Sequence, residues 1–278
     1  MPELSTAPSL GPLYLKAAAT GPTRRGGELP GTEYVRRDIA VDPVELAEYN
    51  RVCGFRLRDE LPITYPHILS FPASVQLMTD KGFPFPLVGL VHVANRIQQD
   101  RPLLVTDVLT QSVRVADLRP HPKGKQFDVV TETSAGGEVV WRETSTYLRV
   151  GKRDESAPQK ERREIEPGSA SGTWRIPADI GREYAAVSGD RNPIHLHPLT
   201  AKAFGFPKAI AHGMWSKARC LAALEGRLPD AFTVDVDFAK PLLLPSKADF
   251  TMRRAGSGWD FALHSRSGKP HLTGSVTA

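Results

Sequence analysis

Glu48-Tyr49-Asn50-Arg51-Val52-Cys53-Gly54 and Glu183-Tyr184-Ala185-Ala186-Val187-Ser188-Gly189 are one phrase written twice, 135 positions apart. Glu, Tyr, Val and Gly recur in register. Each stretch reads as a helix closed by glycine, the residue that best tolerates the left-handed backbone of a helix end. At the same offset Phe71-Pro72 answers Phe206-Pro207, and at 139 Arg101-Pro102-Leu103-Leu104 answers Lys240-Pro241-Leu242-Leu243. Three landmarks in one order at nearly one spacing make the chain two copies of one unit. Its 278 residues suit that reading, since a domain takes roughly 150.

Both copies follow one plan. A short strand (Tyr34–Ala40; Thr173–Ile176) leads into the glycine-closed helix, and a mainly apolar helix follows after a loop, roughly Phe71–Thr79 and Met214–Arg227. In the second copy Met214, Ala218, Leu221 and Ala222 recur at helical spacing behind Gly213. Strands then close each copy. Leu103–Leu118, Gln126–Thr133 and Glu138–Val150 serve the first; Thr233–Phe238, Ala248–Arg254, Trp259–His264 and His271–Val276 serve the second. The pattern predicts an α+β unit in which an antiparallel sheet wraps a central helix. The expected divisions are a flexible arm over 1–33, a first repeat over 34–150, a linker over 151–172 and a second repeat over 173–278.

With 40% hydrophobic and 24% charged residues, the composition excludes a disordered or fibrous chain. The longest apolar runs, Val139-Val140-Trp141 and Pro241 to Pro245, fall far short of the roughly 20 residues a bilayer needs. Lys16 interrupts the apolar stretch near the start, so no secretory signal is expected. Two cysteines, Cys53 and Cys220, make no disulfide framework and read as buried packing residues. The expected location is the cytoplasm, with no membrane partner. Lys and Arg outnumber Asp and Glu 36 to 31, but as scattered pairs such as Arg24-Arg25, Arg36-Arg37 and Arg253-Arg254. That is a solvated surface with mild attraction for a small acidic partner, and no nucleic acid is expected.

The chemistry concentrates in Tyr184-Ala-Ala-Val-Ser-Gly-Asp190-Arg-Asn192-Pro193-Ile194-His195, with Ala211-His212-Gly213-Met214 downstream. Asn192-Pro193 fixes a turn that can bring Asp190 and His195 face to face, and such a pair suits proton transfer because each tunes the other's pKa. His195, His197 and His212 could be read as metal ligands, but no cysteine or carboxylate cluster completes a set, so no metal is expected.

The spacing Tyr-x-x-Val-Ser-Gly-Asp-x-Asn-Pro-Ile-His-x5-Ala, from Tyr184 to Ala201, resembles the hydratase-2 signature of the MaoC-like family at every defined position. That family comprises (R)-specific enoyl-thioester hydratases and 3-hydroxyacyl-thioester dehydratases. The likeness runs from about Thr173 to the C-terminus, the first half resembles a degenerate N-terminal repeat, and the whole is most similar to actinobacterial two-repeat dehydratases. The resemblance implies a double hot dog fold and a hydro-lyase of fatty-acid metabolism. It would interconvert (3R)-hydroxyacyl and trans-2-enoyl thioesters of CoA or acyl carrier protein without a cofactor, with room for a homodimer.

Carried over by the resemblance, Asp190 and His195 are the acid–base pair and the Gly213 amide is the oxyanion donor. Asn192 orients the pair or its water, His212 shapes the loop, and Tyr184 lines the pocket. Where many relatives carry a supporting serine this chain has Leu221, and Ser216 lies an earlier turn away, so that role is not transferred. Matched by the 135 offset, Asp190, Asn192 and His195 meet Phe55, Leu57 and Glu60; matched through Pro62-Ile63, His195 meets Thr64. Either way the first half lacks the pair and is expected to serve as a wall of the acyl site, while His92 within it reads as structural. A hot dog thioesterase and a non-catalytic acyl-thioester binder are the competing readings.

Overall fold

The structure, a computed structural model, describes residues 1–21, 24, 26–158, 165 and 169–278. The first half contains α1 (Leu10–Thr20), β1 (Glu33–Ile39), α2 (Pro43–Cys53), α3 (Tyr65–Thr79), β2 (Leu90–Gln99), β3 (Leu109–His121), β4 (Gly124–Ala135) and β5 (Glu138–Val150). The second contains β6 (Gly172–Ile176), α4 (Ile180–Ser188), α5 (Pro193–Leu196), α6 (Pro198–Ala203), α7 (Gly213–Ala223), β7 (Phe232–Phe238), β8 (Ser246–Ala255), β9 (Gly258–Ser265) and β10 (Pro270–Thr277).

Helices α2 and α4 are the repeated phrase. Asp42 caps α2 by accepting from the Val44 amide at 2.7 Å. Gly54 and Gly189 end the two helices with φ of 82° and 74°, values that L side chains adopt only at a cost.

All ten strands join in one sheet, in the order β1-β3-β4-β5-β2-β7-β10-β9-β8-β6. Read outward from its middle, both halves have the same order of strands. The halves meet where β2 and β7 pair antiparallel, from Ala94 against Asp237 to Gln99 against Phe232. Helix α3 packs on β3 and β4, and α7 on β9 and β10. Each is therefore the central helix of a hot dog unit, and the α+β double hot dog read from the sequence is the observed fold. The Trp215 indole donates to the Val52 carbonyl at 3.0 Å, tying α7 to the other half's α2. A single apolar cluster runs through both halves, and each Val, Leu, Ile or Phe fully buried in it contributes roughly 1.5–3 kcal/mol.

Two of the three repeat landmarks are equivalent in space. The Leu103 carbonyl accepts from the Leu61 amide at 2.8 Å, and the Leu242 carbonyl accepts from the Ala211 amide at 2.9 Å. Phe71-Pro72 and Phe206-Pro207 are not equivalent: the first pair lies within α3 and the second in a loop before α7. The offset slips because seven residues carry the chain from Gly54 to Leu61, whereas twenty-two carry it from Gly189 to Ala211. The surplus contains α5 and α6, so Asp190 and His195 have no counterparts in the first half at either register proposed from sequence.

Other expectations change too. The arm over 1–33 holds α1, whose Leu13 is buried against Phe71 and Val75, and whose preceding residues bond β1 through the Leu4 amide and the Val35 carbonyl at 2.7 Å. Helix α3 starts at Tyr65, with Pro66 in the first turn and Pro72 inside; α7 ends at Ala223 rather than Arg227. The expected strand Leu103–Leu118 begins only at Leu109, because Arg101 and Asp107 pair across a turn at 3.0 Å. Strand β2 went unread because two of its three buried positions, Asn95 and Gln99, are polar. Of the expected linker 151–172, residues 159–164 and 166–168 lie outside the described residues, while Ala157 and Ile165 are buried.

Gln99 donates to the Asp230 carbonyl at 2.9 Å, and Asn95 belongs to a buried network across the central seam. The Lys217 ammonium, fully buried on α7, donates to the Asn95 side-chain and main-chain oxygens and to the Val234 carbonyl. The Asn95 amide donates to Glu143 Oε1 at 2.6 Å, and His67 Nδ1 lies 3.0 Å from Glu143 Oε2. Burial pulls the Lys217 pKa down to about 7 against the opposing pull of Glu143. Burial also works to raise the Glu143 pKa, but His67, Asn95 and Lys217 hold it below the ordinary value. Replacing Lys217 with Met strands Asn95 and Glu143, so urea unfolding of Lys217→Met is expected to lose about 3–5 kcal/mol of stability. A loss below about 1 kcal/mol would show the network to be dispensable.

Candidate active site

The extra segment of the second half builds a pocket of polar side chains beside the start of α7. Gly189 reverses the chain after α4, and the Asp190 amide then donates to the Ser188 hydroxyl at 3.2 Å. Asp190 Oδ1 accepts the Asn192 amide at 3.1 Å and the Tyr14 hydroxyl at 3.3 Å. Asn192 turns its own Oδ1 onto the Ile194 amide at 3.4 Å, capping α5. Asn192, expected to orient the pair or its water, meets Asp190 through its main-chain amide, while its side chain holds the turn on which His195 stands.

His195 Nδ1 donates to the Ile210 carbonyl at 2.8 Å, which fixes the tautomer when the ring is neutral and leaves Nε2 as an acceptor. His212 stacks on His195 with centroids 3.7 Å apart, and its Nε2 donates to the Asp190 carbonyl at 2.9 Å. One potential ligand atom from each of Asp190, His195 and His212 lies within 4.8 Å of the others. The alternative trio that includes His197 does not form: that side chain is exposed and accepts from the Leu199 amide at 3.2 Å.

Burial decides the charges. It lowers the His195 pKa against the opposing pull of Asp190 and the Ile210 carbonyl. It lowers that of His212 to about 3, helped by His195. Burial works to raise the Asp190 pKa, yet His212, His195, the Asn192 amide and the Tyr14 hydroxyl hold it below the usual carboxylate value. The site therefore carries a carboxylate and two neutral imidazoles near pH 7.

Gly213 is the first residue of α7, so its N–H is one of the amides without a partner inside the helix, at the positive end of the helix dipole. A Cβ there would lie 3.0 Å from the Phe238 ring, so glycine lets that ring close over the helix start. Tyr184 is buried beneath, its ring 4.9 Å from His212. Ser216 spends its hydroxyl on the His212 carbonyl at 3.2 Å, and Leu221 is in the core.

Several neighbours carried no signal in the sequence. Tyr14 comes from the supposed arm. His92 and Tyr147 come from the first half; they stack at 4.7 Å, and Asp190 acts electrostatically on both. Gly181 lies beneath His195, where a Cβ would stand 2.1 Å from the His195 carbonyl oxygen. Gly181 lies just ahead of the repeated phrase, and nothing in the sequence marks why glycine stands there.

A sheet of this topology wrapping two central helices, with an Asp/His pair at one helix start, defines a double hot dog protein. The description "MaoC like domain" matches residues 154–271. The 3-hydroxyacyl-thioester dehydratase X of Mycobacterium tuberculosis (strain ATCC 25618 / H37Rv) is 40% identical over 268 residues, 95% of either chain. Enoyl-CoA hydratase ChsH3 of the same organism is 28% identical over 192 residues, 63% of this chain and 64% of that one. The crystal structure of HtdX from M. tuberculosis superimposes with a TM-score of 0.79 at 39% identity, covering 88% of this chain and 99% of that chain. The chain belongs to the MaoC-like dehydratase family.

Glycine to alanine normally stabilises an unhindered helix by about 0.5–1 kcal/mol. Because of the His195 carbonyl, Gly181→Ala is expected to melt below the parent protein in a thermal scan. A rise in melting temperature would mean that the contact relaxes freely.

Proposed function

We propose that the protein is a hydro-lyase that interconverts (3R)-3-hydroxyacyl thioesters and trans-2-enoyl thioesters plus water. The observation that carries this reading is the meeting of two acceptors, Asp190 Oδ2 (with His212 Nε2 at 3.8 Å) and His195 Nε2, near the Gly213 amide, which has no partner within its own helix. A thioester whose carbonyl oxygen accepts from Gly213 gains stabilisation of its developing enolate from that amide and the helix dipole. Its C2–C3 bond then lies against the two bases, which hold one water through its two hydrogens.

In hydration the water oxygen forms a bond to C3 while one base takes a water proton. The electron pair of the double bond moves into the C1–C2 enolate, and that proton then passes to C2. Dehydration runs the same steps backward: C2 loses a proton and the 3-hydroxyl leaves as water. General acid–base catalysis of this kind supplies roughly 10²–10⁴ in rate. Activity needs neutral His195 and ionised Asp190.

The carrier in this reading is CoA or acyl carrier protein, the setting fatty-acid metabolism in the cytoplasm, and the chain holds one active site. No described helix is long and apolar enough to cross a membrane. The first half acts as a wall, a role supported by the electrostatic pull of Asp190 on His92 and Tyr147.

The test follows loss of the conjugated enoyl-thioester absorbance with crotonyl-CoA and a longer trans-2-enoyl-CoA. Asp190→Asn and His195→Ala are each expected to lower kcat by about 10²–10⁴. Wild-type rates in both variants would reject the assignment, and thiol release without hydration would identify a thioesterase.

The pH dependence follows from His195. Burial places its pKa below the ordinary 6.5, so the neutral base persists on mild acidification. The kcat/KM for hydration is expected to stay level from neutrality to below pH 6.5 and to fall only on further acidification. A midpoint at or above 6.5 would contradict that environment.

A further inference from the structure

Helix α1 belongs to neither repeat, yet it reaches the acid–base pair. Leu13 is buried against Phe71 and Val75 of α3, with Leu10 alongside. Leu10 also fills the space above Gly189, its Cδ1 standing 2.4 Å from where a Cβ would be. These two contacts seat α1 at the turn that carries Asp190, and Tyr14 follows directly after Leu13. Its hydroxyl donates to Asp190 Oδ1 at 3.3 Å.

We propose that Tyr14 is a positioning residue for the reaction: with the Asn192 amide it occupies Asp190 Oδ1 and so presents Oδ2 to the substrate as the working oxygen. A carboxylate free to rotate offers either oxygen, with a different lone-pair direction each time. Two donors on one oxygen remove that choice, and a hydrogen bond to the ionised form favours the carboxylate. The inference rests on the acid–base reading of Asp190, and it gives the N-terminal segment a part in catalysis without contact with substrate.

Around Asp190 the titratable groups are Tyr14 from α1, Tyr184 from α4, His195 from α5, His212 before α7, His92 from β2 and Tyr147 from β5, with Glu143 behind and Arg191 next in the chain. Of the hydroxyls among these, Tyr14 is the one that reaches the carboxylate. Tyr14→Phe removes that bond and keeps the ring that packs α1.

The experiment compares full-length wild type and Tyr14→Phe by two readouts. The first is the pH profile of kcat/KM for crotonyl-CoA hydration. The second is the carbon-13 titration of the Asp190 carboxyl, identified as the signal missing from Asp190→Asn. Loss of the donor raises the Asp190 pKa, so the titration should move to higher pH, while the acid limb, which belongs to His195, keeps its place. The kcat/KM plateau should fall about tenfold, the worth of one hydrogen bond to a charged group, with KM nearly unchanged. A lower plateau with an unmoved titration would mean that α1 only braces the fold, and would overturn the proposal. The titration needs no turnover: if it moves while the wild type hydrates nothing, the hydratase reading fails and the Tyr14–Asp190 coupling stands.

Discussion

The antiparallel pairing of β2 with β7 is the contact on which the remaining architecture depends. A hot dog sheet left alone has an open edge of unpaired amides and carbonyls, and that edge invites association. Here each half closes the other's edge, and the two central helices come to lie under one continuous sheet. The seam also sets the chemistry of its surroundings. Lys217 of the second half must find oxygen acceptors in a dry interior, and Asn95 and Val234 on the two seam strands supply them.

The same seam carries the first half toward the Asp190–His195 pair. His92 and Tyr147 stack together, and Phe238, which closes over Gly213, lies 5.0 Å from His92. A half that has no Asp/His pair of its own can therefore shape the dielectric in which the other half's pair works. Burial by both halves keeps His195 and His212 neutral, and the small polar groups around Asp190 keep it ionised. Charge and neutrality are thus set by position within one assembly.

Much of this was legible in the residues. Gly54 and Gly189 marked two helix ends because a left-handed backbone leaves few other choices, and the Asp190-to-His195 spacing named the turn that brings those side chains together. Strand β2 was hidden because Asn95 of the network and Gln99, bonded to the Asp230 carbonyl, give it a polar interior, which inverts the signal that periodicity depends on. Tyr14 was hidden for another reason: its role comes from a contact 176 residues away, and a local reading of Leu13-Tyr14-Leu15 contains nothing about Asp190. Phe71-Pro72 misled in the opposite direction, since two residues can recur by coincidence where a hydrogen-bonding pattern cannot.

The unequal connections after the paired helices bear on how the two halves could change in future. Seven residues lead from Gly54 to Leu61, and Leu61 is held there by the Leu103 carbonyl. No run of point substitutions in the first half can recreate a turn like the one bearing Asp190 and His195, because the chain to build it is missing. A second reaction centre would require an insertion of about fifteen residues, accommodated without breaking the bond at Leu61. Divergence between the halves is therefore lopsided: one substitution can remove Asp190 or His195 from the second half, and none can supply the pair to the first.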